Sequence, residues 1–243
     1  MISSIRERKL CKICKESSFI YDVVDFNKFC DGNNPYRYGF SMIPIYYYKC
    51  DNCGFIFTDF TDNYEDKDFK EKIYNDDYVL VDPEYESIRP IEDAKQLNEY
   101  LLKNKNDIIG IDFGGGKGVL ASEMNRYGYV YHTYDKFGES SIDKEMIGKY
   151  NFCSAFEVFE HLPDPNNSLN LIKEMMTCSN PQILIGTQLS DENVNDHDRL
   201  SWWYAAPRNG HISLFSKTAI SILASNAGFR LVESSGHLHL LAK

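Results

Sequence analysis

Two cysteine pairs carry the sharpest chemical signal in the sequence, Cys11-Lys-Ile-Cys14 and Cys50-Asp-Asn-Cys53-Gly54. Each holds two thiols on one tight turn, and two such turns supply the four thiolates that zinc favours in a tetrahedral shell. A closed shell leaves no position open for substrate, so the spacing predicts a structural ion. A hairpin or loop must intervene between the pairs, and Cys30 inside it is a candidate substitute ligand. Reduced thiols without metal are the competing reading. A redox role is weaker, because neither pair stands at a strand-to-helix junction.

The second centre of chemistry is Asp112-Phe-Gly114-Gly115-Gly116-Lys-Gly118, where backbone N–H groups can approach a ligand with no side chain in the way. A phosphate-cradling loop requires Ser or Thr after its Gly-Lys pair, and no such step is present; Val119 follows Gly118. A dinucleotide fingerprint is disfavoured, since the third glycine falls at Gly118 rather than at Val119. Further along, titratable groups gather in Glu157-Val-Phe-Glu160-His161 and in Pro207-Arg208-Asn209-Gly210-His211. These could move a proton, or could order their own turns; a histidine bonded to a loop carbonyl is the plain alternative for His211. His197, Trp202, Trp203 and Tyr204 precede the second group, and the paired tryptophans either stack on a ring-shaped ligand or cover the sheet edge.

These groups need a scaffold, and the apolar pattern supplies one. Ile108 to Phe113 reads as a strand, the glycines as a turn, and Val119, Leu120 and Met124 as the start of a helix. Ala94, Leu97 and Leu101 follow helical spacing ahead of it, with Asn104 to Asp107 ending that helix. Tyr129 to Tyr134, Asn151 to Phe156 and Gln182 to Gly186 read as strands, and Leu169, Ile172, Met175 and Met176 mark a helix between the last two. Ser216 can cap a helix that Gly228 stops, followed by strands at Phe229 to Val232 and Leu238 to Ala242. His237 and His239 read as structural groups in the last of these. Alternating strands and helices predict a doubly wound, mostly parallel sheet.

From Asp112 onward the sequence resembles the class I S-adenosylmethionine-dependent methyltransferases. The resemblance rests on the acidic, glycine-rich turn, on Ser154-Ala-Phe-Glu157-Val-Phe-Glu160-His161-Leu-Pro163, and on Asn226-Ala-Gly-Phe229, and it covers roughly Glu92 to the C-terminus. It implies a Rossmann-like sheet and S-adenosylmethionine as cofactor, bound by Asp112, Gly114, Gly115, Gly116, Asp135, Glu157 and Tyr78. In that family an acidic residue ending the second strand holds the ribose hydroxyls, the place Asp135 takes here. The stretch from Asp135 to the next strand is too short for the usual helix, strand and helix, so an abridged third strand is expected. Asn151 stands where the family often has Asp. The cysteine-bearing start, with Ile73-Tyr74-Asn-Asp-Asp77-Tyr78 behind it, resembles bacterial members with a zinc-binding N-terminal region that act on sugars or surface polysaccharides.

On this reading the chain divides into a zinc-ribbon-like module over 1–60, an acidic, Tyr-rich connecting segment over 61–90, and a methyltransferase domain over 91–243. Acidic residues outnumber basic ones from Asp59 to Asp93, which reads as a solvated linker, with Tyr74, Tyr78 and Arg89 as candidates for a lid. His211, His161 and Glu157 are the candidate catalytic groups, serving as general bases for an acceptor hydroxyl. A net charge of −10 argues against nucleic acid as partner. No apolar run is long enough for a membrane span, and the start lacks the apolar centre of a secretion signal, so a cytoplasmic location is expected. The expected reaction is O-methylation of a small molecule or glycan precursor, a sugar or sugar-attached group of capsule or lipopolysaccharide. The alternatives are C-methylation of a nucleotide-linked deoxysugar and a non-catalytic zinc-bearing binding module. Homodimerisation is left open.

Overall fold

The computed structural model describes residues 8–102, 107–138, 144–177 and 179–243. Asn104, expected at a helix end, and Cys178 lie outside the described residues. In chain order the first strands are β1 (Arg8–Leu10), β2 (Ser17–Asp25), β3 (Pro44–Cys50) and β4 (Ile56–Phe57), followed by helices α1 (Asp66–Lys72), α2 (Tyr78–Val81) and α3 (Ile88–Leu101). Then come β5 (Ile109–Phe113), α4 (Val119–Arg126), β6 (Val130–Tyr134), β7 (Phe152–Phe156), α5 (Pro165–Met175) and β8 (Gln182–Gly186). The chain closes with β9 (Ser213–Leu214), α6 (Lys217–Asn226), β10 (Arg230–Ser235) and β11 (Leu238–Ala242). Two sheets result.

The larger sheet has the order β10-β11-β8-β7-β5-β6. Strands β8, β7, β5 and β6 are parallel, and β11 and β10 close the other side antiparallel. Strands β5, β7 and β8 are buried along almost their whole length, as a parallel sheet covered on both faces requires. Helices α3 and α4 cover one face through Leu97, Leu101, Leu120 and Met124. Helices α5 and α6 cover the other through Leu169, Ile172, Ile220 and Leu223. The sheet ends at β6 among the described residues, in keeping with the expected loss of the third strand. This is the α/β methyltransferase fold that the glycine turn implied.

One strand glycine shapes the centre of this sheet. Gly110 faces Tyr131 in register, and a Cβ there would lie 2.1 Å from the Tyr131 ring. The bare glycine lets the ring cross β5, so the Tyr131 hydroxyl donates to Ser154 Oγ at 3.0 Å. Ser154 in turn donates to Asp112 Oδ1 at 2.7 Å.

The smaller sheet is antiparallel, with the order β1-β2-β3-β4-β9. Strands β2 and β3 are the hairpin expected between the cysteine pairs. Its last strand comes from the far end of the chain, since β9 pairs with β4 through Ile56 with Leu214 and Phe57 with Ser213. The core is continuous too: Cys11, Ile13, Cys53 and Phe55 pack in one apolar cluster with Ile220, Leu223 and Phe229. Each cysteine turn is also tied to a helix. Ser216, whose side chain caps α6 by accepting from Ala219 N, donates to the Cys53 carbonyl. Asn226 donates to the Ile13 carbonyl at 3.1 Å and Asn166 to the Lys12 carbonyl at 2.8 Å.

Candidate active site

The glycine turn is shaped by collisions that side chains would cause. Gly114 has φ +77°, and a Cβ would meet Val158 at 2.5 Å; at Gly115 it would meet Asp112 Oδ2 at 2.3 Å. Gly116 differs. A Cβ there would have nothing within 4 Å, so its backbone is bare toward open space. Asp112 is 4% exposed. Burial pushes its carboxyl up to about 7, against the lowering effect of the Ser154 hydroxyl, with Asp93 and Asp135 adding to the rise. Asp135, at the end of β6, binds both neighbouring turns: Oδ2 accepts from Gly116 N at 2.9 Å, and Oδ1 accepts from Phe137 N and Gly138 N at 2.7 and 2.9 Å. A carboxylate has about four acceptor sites, so capacity remains for a ligand hydroxyl. A bare glycine backbone beside a half-buried carboxylate fits the cofactor that the sequence implied.

The other end is built past β7. Glu157 has φ +52°, a left-handed backbone that a non-glycine residue seldom adopts, and its N–H donates to the Gly186 carbonyl at 2.9 Å. Burial, and then the adjacent Glu160, raise its pKa above the ordinary range. Glu160 is fully buried; one carboxyl oxygen accepts from the Tyr204 hydroxyl, and the other has no partner. His161 is driven down to about 4 by burial, and its buried Nδ1 also lacks a partner. His211 is 4% exposed and lies 2.7 Å through Nδ1 from the Tyr204 carbonyl. A carbonyl only accepts, so Nδ1 carries the proton and Nε2 keeps a lone pair. Burial lowers the His211 pKa well below its ordinary value, which keeps the ring neutral. The two imidazole rings meet edge to face at 4.8 Å.

A cavity of about 1240 Å³ joins these ends, lined by Gly114 to Gly116, Asp135, Glu157, His161 and His211. Its roof is the acidic segment that read as a linker. Tyr74, Tyr78, Asp82, Tyr85 and Arg89 all face it. Tyr78 donates to the Asn209 carbonyl at 3.2 Å, Arg208 holds the Ile73 carbonyl at 2.9 Å, and Arg89 grips Asp82 through two bonds of 2.7 and 3.1 Å. The segment is thus a packed wall, and three of its carboxylates, Asp82, Glu86 and Asp93, line the cleft. Among the described residues the cations of the lining are Arg89, Lys117 and Lys136, each paired, with Asp82, Glu86 and Asp66.

Other candidates lie elsewhere. Trp202 is buried against Tyr204 in the core of the smaller sheet, and neither it nor Trp203 lines the cleft. His197 is exposed beside Asp198. His237 precedes β11, while His239 is buried, its Nε2 donating to the Thr187 carbonyl at 3.1 Å and its Nδ1 accepting from the Ser234 hydroxyl at 2.9 Å. Tyr204, noted in the sequence only as a neighbour of the tryptophans, bonds both Glu157 and Glu160 through its hydroxyl, and Thr187, which carries no sequence signal, lies 3.2 Å from that hydroxyl.

The cysteine pairs do converge. Cys11 and Cys53 lie 3.6 Å apart through sulfur, Cys14 and Cys50 3.4 Å, and Cys14 and Cys53 3.6 Å. These are too long for disulfides and close to the edge of a tetrahedron with metal–sulfur bonds of about 2.3 Å. N–H groups of Ile13, Asn52 and Cys53 point at the sulfurs at 3.4 Å, as thiolates require. Cys30 is not among them. The loop after β2 runs to the cleft instead, placing Cys30 N on Asn209 Oδ1 and its sulfur 3.7 Å from His211 Nδ1, so the substitute-ligand expectation is corrected.

A family model described as a methyltransferase domain matches residues 85–234, more than half of the chain. The chain belongs to the methyltransferase domain family. The chain is similar to mitomycin 7-O-methyltransferase MmcR, at 11% identity and TM-score 0.45 over 64% of this chain and 53% of that one. It is similar also to 1,6-didemethyltoxoflavin-N1-methyltransferase of Burkholderia thailandensis, at 17% identity and TM-score 0.43 over 72% and 84%. A third is magnesium protoporphyrin IX methyltransferase ChlM of Synechocystis, at 12% identity and TM-score 0.40 over 63% and 77%. The chain spans about half the length of the first of these structures. No curated protein matches it. Among the described residues, no helix is long and apolar enough to cross a membrane.

Proposed function

We propose that the protein transfers a methyl group from S-adenosylmethionine to a hydroxyl of a small polar acceptor, a sugar or sugar-attached group of a surface-glycan precursor. The observation that carries this reading is the single cleft that joins the bare glycine turn and Asp135 to Glu157, His161 and His211. Its volume exceeds that of a typical one-ligand pocket, leaving room for cofactor and acceptor side by side. Asp112, Gly114, Gly115, Gly116, Asp135, Glu157 and Tyr78 are the groups that would hold the cofactor. When bound, S-adenosylmethionine supplies the electrophilic methyl of its sulfonium. The protein's part is to align the acceptor oxygen and receive its proton. His211, with an unprotonated nitrogen, His161 and Glu157 are the groups for that work. Tyr74, Tyr78 and Arg89 wall the cleft against water.

The acceptor should carry no diphosphate. Asp82, Glu86, Asp93, Asp135 and Glu157 line the cleft, and among the described residues the Lys and Arg side chains of the lining are each paired. This favours a neutral glycan over a nucleotide-linked deoxysugar. The cysteine cluster we assign to structural zinc, held by Cys11, Cys14, Cys50 and Cys53.

Incubation with labelled methyl donor and a panel of sugars, glycan precursors and sugar nucleotides tests the reading. Label should enter a neutral acceptor, and His211→Ala should lower turnover by roughly 10² to 10⁴ at saturating cofactor. An unchanged rate in that variant removes His211 from the chemistry.

A further inference from the structure

Two of the side-chain atoms buried without a hydrogen-bond partner belong to adjacent residues, His161 Nδ1 on a residue that lines one end of the cleft and Glu160 Oε2 directly behind it. Orphaned polar atoms in a folded interior are rare, and an ion or water is a common reason for them. His211 stands beside them with an unprotonated nitrogen, and one ligand atom from each of Glu160, His161 and His211 lies within 4.8 Å of the others. We propose that these three side chains bind a divalent first-row transition cation, separate from the ion of the cysteine cluster.

The chemistry of the set supports this. Two imidazoles and one carboxylate suit manganese, iron, cobalt or zinc, and three ligands leave positions open. Ligands at about 2.0–2.2 Å from a shared ion stand roughly 3–4.4 Å apart, so small side-chain rotations close the remaining gap. Metal-binding imidazoles and carboxylates are normally fixed from behind by a second hydrogen bond. Here one residue does this for two ligands: the Tyr204 hydroxyl donates to Glu160 Oε1, and the Tyr204 carbonyl accepts from His211 Nδ1 at 2.7 Å. Thr187 Oγ1 lies 3.2 Å from the Tyr204 hydroxyl and holds it in turn.

The role of the ion rests on the reading of this end as the acceptor site. An acceptor hydroxyl would take an open position, and the ion would weaken its O–H bond. That bond breaks with its electron pair left on oxygen, and the proton goes to the carboxylate of Glu157, which stays outside the ligand set. The imidazoles then hold metal, and Glu157 is the proton acceptor.

Manganese(II) is the probe, because it prefers nitrogen and oxygen ligands and leaves the thiolates to zinc. The zinc-loaded full chain is titrated with manganese chloride, and free manganese is read by electron paramagnetic resonance. One equivalent should bind, and Glu160→Gln and His211→Asn should each weaken binding about tenfold or more. Asp93→Asn, an acid of the lining outside the cluster, should bind as the wild type does. No uptake by the folded wild type, uptake unchanged in Glu160→Gln, or equal loss in Asp93→Asn overturns the proposal. Should His211→Asn fail to fold by circular dichroism, Glu160→Gln decides, since its amide keeps an acceptor for Tyr204. Thermal stabilisation by S-adenosylmethionine is measured on the same samples. Stabilisation without manganese binding sinks the metal and spares the methyltransferase reading, and the reverse result separates them the other way.

Discussion

Asp112, near the end of β5, holds its proton more tightly in the fold than in the unfolded chain, and this has a consequence for stability. In the unfolded chain it titrates near 3.8, while in the fold burial raises it to about 7. Between these values the folded protein keeps a proton that the unfolded chain has lost, so this group's contribution falls as pH rises from about 4 to about 7, then levels. Asn at this position cannot titrate and keeps an oxygen for the Ser154 hydroxyl. The stability of Asp112→Asn relative to wild type should therefore rise across that window, by at most about 4 kcal/mol for a shift of this size. Denaturant unfolding of both proteins at pH 5 and pH 8 measures it, and parallel pH curves would refute it. Residues of this kind were readable when they sat in a local pattern. Glu157, His161 and His211 stood in compact motifs, and all three line the cleft. Glu160 lies behind the cleft rather than in its lining, and its partnership with Tyr204 leaves no mark on local spacing, because the bond spans 44 positions.

At the scale of elements, the cysteine turns support more than their own sheet. The Cys53 carbonyl takes the hydroxyl of the serine that caps α6, and the Lys12 and Ile13 carbonyls take side chains from α5 and α6. Releasing the cysteines would loosen both turns and the helix caps that lean on them. Stripping metal with a strong chelator should lower the melting temperature by about 10 °C or more, given what structural zinc contributes in small domains. Circular dichroism before and after chelation checks this; an unchanged melting curve in protein shown to have lost its zinc contradicts it. Long periodic elements were legible. Ala94, Leu97 and Leu101 are the buried side of α3, as their spacing predicted. Short ones were not. Helices α1 and α2 have seven and four residues, too few for a helical period to stand out from the acidic residues around them. Strand β9 has two residues, and only its pairing with β4 reveals it.

For the molecule as a whole, the net charge of −10 now has a location with meaning. Part of the excess lines the cleft, where it favours a neutral or cationic acceptor and the positive sulfonium of the cofactor. A nucleoside diphosphate in excess should therefore leave methyl transfer to a neutral glycan unaffected at low salt, as competition in the labelled assay would read; strong competitive inhibition would reverse the reading of the acceptor. The mostly parallel sheet followed from runs of apolar residues, and the abridged third strand from the family resemblance and the short stretch after Asp135. The joining of two sheets into one core did not, because it depends on contacts between the first and last quarters of the chain.

The central claim is that the glycine turn and Asp135 bind S-adenosylmethionine, and titration calorimetry of the purified chain with S-adenosylmethionine tests it most directly. One equivalent should bind, with affinity lost in Asp135→Ala, and at about 100 times the dissociation constant the protein should gain roughly 2.7 kcal/mol of stability. Binding of NADH or ATP in place of S-adenosylmethionine, or an affinity unchanged by Asp135→Ala, would contradict it.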